Sequence, residues 1–225
     1  GRGEVRVFQY DATKTSPVTD ANSANFGPVG WNRLGGDING ANTNEYFGTF
    51  VSLNSDATIL AVSSIKQNGN SFVGIYQYDA SKTSADTDQN SATYGPAGWS
   101  RLGTNIPAEN AINGDAGWSV SLSNDGTIVA IGERKDDTPD EQAGQVRIWQ
   151  RDTNAAIGWS QLGGDIHGDN AYDTMGTSVS LSSDGTIVAV GAPSHNAKGM
   201  VRVFQYDATK TSPVIDMNNA NFGPA

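Results

Sequence analysis

The sequence contains no cysteine. That excludes disulfide staples, thiolate metal sites and a cysteine nucleophile, and leaves packing alone to hold the fold. No apolar run approaches the ~18 residues of a membrane-spanning helix, and the longest stretches, such as Ile128 to Ile131, are strand-sized. Basic residues are few: 14 lysines and arginines stand against 24 aspartates and glutamates, for a net charge of -10. A field of that sign repels phosphate backbones and anionic lipid, so neither nucleic acid nor membrane insertion is expected. The chain starts at Gly1 with no signal-peptide pattern, which predicts either a processed chain or a piece of something longer.

What the sequence has in quantity is glycine, 27 in 225 residues, against a usual share of roughly 7 %. Many tight turns with few helix-forming runs predict an all-β architecture. The turns fall in repeats. VRVFQYDATKTSPV occurs at Val5 to Val18 and again at Val201 to Val214, with weaker copies from Val73 and Val146. A GW-x-x-LG segment recurs at Trp31, Trp99 and Trp159. Between them lie FGTFVSLNSDATILAVSS from Phe47, AGWSVSLSNDGTIVAIGE from Ala116 and MGTSVSLSSDGTIVAVGA from Met175. Each of these reads as strand, tight turn, strand, with Asp-Gly supplying the turn in two copies. Ala57 stands in place of the glycine in the first copy, which predicts strain or another turn type there.

One unit therefore has four strands: SVSLS, TIVAVG, VRVFQY and the short tryptophan segment. TIVAVG is apolar on both faces and must be covered on both. Arg147 and Arg202 interrupt VRVFQY, which places that strand nearer the outside. Stacked four-stranded antiparallel blades of a β-propeller meet these demands, and one blade alone would not bury its faces. The phases give one repeat domain over 1–225, with a partial blade at 1–35 (strands 3 and 4), whole blades at 48–103 and 117–163, and a partial blade at 176–225 (strands 1 to 3). The expectation is an incomplete segment of a larger propeller. Closure of the ends on each other, or on other copies, are the competing readings.

At these residues the chain resembles the FG-GAP repeat of integrin-α-type propellers: Phe47-Gly48 opens one repeat and Gly191-Ala192-Pro193 closes a strand of another. The resemblance implies an extracellular or cell-surface interaction module. Its calcium loop does not carry over, because one carboxylate in S-N-D-G or S-S-D-G falls short of the six to eight oxygens that calcium takes.

The remaining candidates are modest. Asp165, Asp169 and Asp173 form an acidic loop that could hold a hard cation, although such residues more often cap turns. His167 and His195, in loops on one side, have no zinc pattern and no recurrence. Trp31, Trp99 and Trp159 recur in every blade, which predicts packing, while Trp118 and Trp149 are blade-specific and could be surface aromatics. The loops Asp11 to Gly30 and Asp79 to Gly98 are long for hairpins, and their shared sequence predicts ordered ornaments on one face. On the other face Glu133 to Gly144 reads as a solvated charged tip. With no G-x-S-x-G, P-loop or H-E-x-x-H motif, no catalytic residue, cofactor or metal is expected. The function expected is a non-catalytic module of a secreted or cell-surface protein binding protein or glycan. The alternatives are a subunit of a self-assembling filament or surface layer, and an enzyme with its site on the propeller axis.

Overall fold

The computed structural model describes residues 1–66, 71–109 and 115–210. The end of the second VRVFQYDATKTSPV copy and the rest of the last partial blade, 211–225, lie outside them. The described residues form an all-β chain of antiparallel sheets, with no α-helix and a single short 3-10 turn at His195–Ala197. The first sheet position is filled by two short two-stranded ladders, β1 (Glu4–Val5) with β4 (Ile38–Asn39) and β2 (Phe8–Tyr10) with β3 (Trp31–Arg33). The second runs β5 (Phe47–Leu53), β6 (Ile59–Ser64), β7 (Phe72–Tyr78) and β8 (Trp99–Arg101), with β9 (Ile106–Pro107) also on β7. The third repeats it as β10 (Ser119–Leu122), β11 (Ile128–Glu133), β12 (Gln145–Arg151), β13 (Trp159–Gln161) and β14 (Ile166–His167). The fourth is β15 (Ser178–Leu181), β16 (Ile187–Ala192) and β17 (Met200–Gln205).

The outermost strand is longer than its tryptophan segment. After a break it resumes at Ile38, Ile106 and Ile166, which are 2 %, 0 % and 3 % exposed and re-pair with the third strand. His167 therefore sits in a strand, not in the expected loop.

Three apolar cores separate the four sheets. Val5, Val7 and Ile38 meet Leu60, Val62 and Trp99 between the first and second. Ile59, Val73 and Ile75 meet Val129, Ile131 and Trp159 between the second and third. Ala130, Val146 and Ile166 meet Val188 and Val190 between the third and fourth. Strand β6 is buried along its whole length, as an apolar strand between two neighbours must be. This face-to-face stacking of antiparallel sheets is that of β-propeller blades.

Polar bonds repeat across the same interfaces. Leu122 N donates to Ser52 Oγ at 3.1 Å, and Leu181 N to Ser121 Oγ at 3.0 Å. The hairpin turns form a ladder in which Ser55 N donates to Asn124 O at 3.2 Å and Asn124 N to Ser183 O at 2.8 Å. The indole N–H of Trp99 reaches Leu34 O, and that of Trp159 reaches Leu102 O, each at 2.9 Å. Each sheet thus fixes the register of the next.

All three hairpin turns share one conformation. Gly126 and Gly185 have φ of 71° and 72°, and Ala57 has 59°. The first turn is therefore strained and not of another type. A left-handed residue with a Cβ costs roughly 1 kcal/mol relative to glycine. Ala57→Gly is expected to raise the unfolding free energy by about that amount, read as a higher urea midpoint at unchanged slope. An unchanged or lower midpoint would show that the turn bears no strain.

Candidate ligand pocket

The position two residues into the third strand sets the character of each sheet. It is arginine in three copies: Arg6, Arg147 and Arg202. Arg6 Nε lies 3.1 Å from Asp37. Arg147 is buried, donating to Glu133 at 2.6 Å and to Pro107 O at 2.7 Å. Arg202 forks onto Asp169, with Nη1 to Oδ1 at 2.7 Å. In the second sheet the position is Gly74, and Asn105 replaces the aspartate that Arg6 pairs with. A Cβ on Gly74 would come within 3.3 Å of Asn105 Oδ1, a buried oxygen with no partner.

The Tyr76 ring, 3.1 Å from that Cβ, occupies the place of the missing arginine, and beside it and Asn105 lies a pocket of about 150 Å³ between the first and second sheets. Phe47, Phe72, Tyr76 and Tyr94 give it aromatic walls, and Asn39, Asn42, Gln89 and Asn105 its amides. Phe47 meets Tyr76 edge to face, with centroids 6.4 Å apart. Burial pushes the Tyr76 phenol well above its ordinary range, so it stays a neutral hydroxyl. The two charged groups are already engaged. Glu45 accepts Asn42 N at 3.0 Å, while Arg101 donates to Gln89 O at 2.7 Å and stacks over Tyr94 at 4.9 Å.

Gln89 and Tyr94 come from the long loop after β7, and its order explains how they can form a wall. Asp79 closes an Asx turn on Ser81 N at 2.8 Å. Lys82 then points inward, donating to Gly95 O at 3.0 Å, Trp99 O at 2.7 Å and Thr93 O. The loop after β2 repeats the device, with Lys14 reaching Trp31 O at 2.7 Å. Losing water lowers the pKa of Lys82, but three carbonyls repay the charged form in hydrogen bonds.

The acidic loop comes together differently from its sequence. Asp169 and Asp173 converge with His195, whereas Asp165 turns away to accept Gln161 Nε2. Asp173 accepts the backbone N–H of Asp169 and Asn170 at 3.0 and 2.9 Å and bonds His195 Nδ1 at 2.8 Å. Asp169 is held by Arg202, and Asp173 caps the loop through Oδ2, while one ligand atom from each of Asp169, Asp173 and His195 lies within 4.8 Å of the others. His167 meets Thr138 O at 3.1 Å. The segment expected as a solvated tip is only partly one: Glu133 and Asp136 are fully buried. Trp99 and Trp159 are buried in the inter-sheet cores, and Trp118 lies under Arg134.

No known family model matches this chain, and no curated protein does. Among solved structures it is similar to a candidate 6-phosphogluconolactonase of Bacteroides fragilis, at 16 % identity and a TM-score of 0.44, over 71 % of this chain and 35 % of that one. A candidate TolB of Agrobacterium tumefaciens aligns at 13 % identity and a TM-score of 0.44, over 82 % of this chain and 50 % of the other. A chain of a mitotic checkpoint complex aligns at 14 % identity and a TM-score of 0.35, over 78 % and 55 %. This chain spans about a third to just over half the length of those structures.

Proposed function

We propose that this chain is a non-catalytic binding module of a secreted or cell-surface protein, and that the pocket between its first two sheets takes a neutral sugar residue of a glycan. The observation that carries the reading is the pocket's lining of aromatic rings and amides, with the unpartnered Asn105 oxygen among them. A sugar ring presents C–H faces to aromatic walls and hydroxyls to amides, which is the lining found here. The volume is small beside the ~300–1,000 Å³ of drug-sized sites, so it suits one ring more than a peptide segment. Glu45 and Arg101 are bound by neighbours, which favours recognition over a nucleophile or proton relay. The acidic surface and the FG-GAP-like repeat support a cell-surface setting. The repeat's glycines at Gly48, Gly117 and Gly176 all have φ between 82° and 86°, where each backbone lies against another strand of the stack.

Gly74→Arg restores the side chain carried by the other sheets and has to displace the Tyr76 ring, which a Cβ there meets at 3.1 Å, and with it one wall of the pocket. Titration with a panel of glucose, galactose, mannose and N-acetylglucosamine should give calorimetric binding to the wild type by at least one sugar and none to the variant. The double variant Gly74→Arg/Asn105→Asp rebuilds the arginine–aspartate pair of the first sheet, keeping the fold while leaving the pocket closed. Equal binding by wild type and double variant, or no binding by the wild type, would defeat the proposal.

A further inference from the structure

Three polar side chains in the pocket walls make no hydrogen bond among the described residues: the Tyr76 and Tyr94 hydroxyls and the Asn105 amide. Equivalent places elsewhere in the stack are settled differently. The position of Tyr76 holds Phe8 in the first sheet and Phe204 in the fourth, and that of Tyr94 holds Phe26 in the loop after β2. The position of Asn105 holds Asp37, which takes Arg6 Nε at 3.1 Å, and Asp165, which accepts Gln161 Nε2 at 2.5 Å. The fold therefore asks for the rings of Tyr76 and Tyr94 and not for their hydroxyls. Tyr76 is only 4 % exposed, and a buried hydroxyl without a partner costs stability. Its retention beside two further unpartnered groups points to a bound molecule that uses them.

We infer that the pocket selects the acetamido group of an N-acetylated sugar, whose carbonyl accepts from the Tyr76 hydroxyl while its N–H is donated to Asn105 Oδ1. The inference rests on the sugar reading above and narrows it to one substituent.

The chemistry of the walls favours an amide over a hydroxyl. Asn105 Oδ1 and Tyr76 Oη lie 3.3 and 3.4 Å from one point, the place of a Cβ on Gly74, so they are neighbours that one amide can bridge. Oδ1 is a buried acceptor in want of a donor. The Tyr76 phenol stays protonated, since burial raises its pKa, and so remains a donor. A secondary amide carries one donor and one acceptor in a fixed relation. The acetamido group adds a methyl, which has the Phe47 and Phe72 rings to pack on, whereas a hydroxyl has no apolar body. The charged groups of the lining are engaged, Glu45 by Asn42 and Arg101 by Gln89 O. A free amino sugar would therefore bring in an ammonium without compensation, and the neutral acetamide does not.

Calorimetric titration of the full chain with N-acetylglucosamine, N-acetylgalactosamine, glucose and galactose reads the preference directly. At least one N-acetylated sugar should bind about tenfold tighter, or better, than its plain counterpart. Tyr76→Phe puts here the residue that the first and fourth sheets carry, so the fold is kept. Its urea midpoint should equal or exceed that of the wild type, because a buried hydroxyl without a partner is gone. Its affinity for the N-acetylated sugar should nevertheless fall about fivefold or more, with that for the plain sugar unchanged. A plain sugar bound as tightly as its N-acetylated form, or a preference untouched by Tyr76→Phe, would overturn the acetamido assignment and leave the sugar pocket standing. A midpoint well below that of the wild type would overturn it too, by showing that the hydroxyl serves the fold. No binding by any of the four sugars would defeat both readings.

Discussion

Trp159→Ala is expected to remove about 3–5 kcal/mol of the chain's stability. The indole is 1 % exposed in the core between the second and third sheets, and its N–H is donated to Leu102 O across that interface. Truncating a buried tryptophan costs about 3–5 kcal/mol from lost burial and the cavity left behind. Here the Leu102 carbonyl also loses its donor. Against a typical total stability of about 5–15 kcal/mol, that is a large share. Trp31→Ala provides the contrast at the equivalent position. Trp31 is 43 % exposed and makes an edge-to-face contact with Tyr10 at 5.5 Å. Its loss should cost less than half as much in monomer stability, read from urea unfolding at low protein concentration. Equal losses for the two variants would mean that the inter-sheet core does not carry the stability assigned to it.

Arg147→Ala is expected to be nearly as severe, and its cost should depend on pH. Glu133 is fully buried; burial pushes its carboxyl above the usual range, and the Arg147 charge opposes that rise. Removing one partner of a buried pair costs roughly 3–5 kcal/mol, because a charge is left without compensation. A carboxyl with a raised folded pKa binds its proton more tightly in the fold than in the unfolded chain. Its contribution is therefore most favourable below the unfolded value of about 4.3 and declines as pH rises through the folded value. Without Arg147 the folded pKa rises further and the decline deepens. The difference in unfolding free energy between wild type and variant should be larger at pH 7 than at pH 4, where Glu133 can protonate. A difference independent of pH would mean that only packing was lost.

The repeat was legible because its two periods are written plainly: Asp-Gly turns between alternating strands, and a tryptophan once per sheet. The turn at Ala57 was legible as strained for the same reason. What failed was reading polarity as exposure. Arg147 reads as an outward residue, but Glu133 and Pro107 O satisfy it inside the stack. Glu133 and Asp136 look like part of a charged tip, yet the loop folds them under itself. The convergence of His195 on Asp173 joins residues from connections either side of β15 and β16, and no spacing in the sequence marks it. The missing arginine beside the pocket did leave a signal. Aligning V-R-V, V-G-I, V-R-I and V-R-V shows the glycine, but without Asn105 beside it in space the glycine reads as one more weak strand residue.

Sugar binding in the pocket walled by Tyr76, Tyr94 and Asn105 is tested most directly by two-dimensional amide NMR of the wild-type chain during titration with the same monosaccharides. Shifts should concentrate on the side-chain amides of Asn42 and Asn105 and on the backbone of Tyr76 and Tyr94, all of which line the pocket. Shifts confined to the exposed ends of the stack, or none with any sugar, would contradict it.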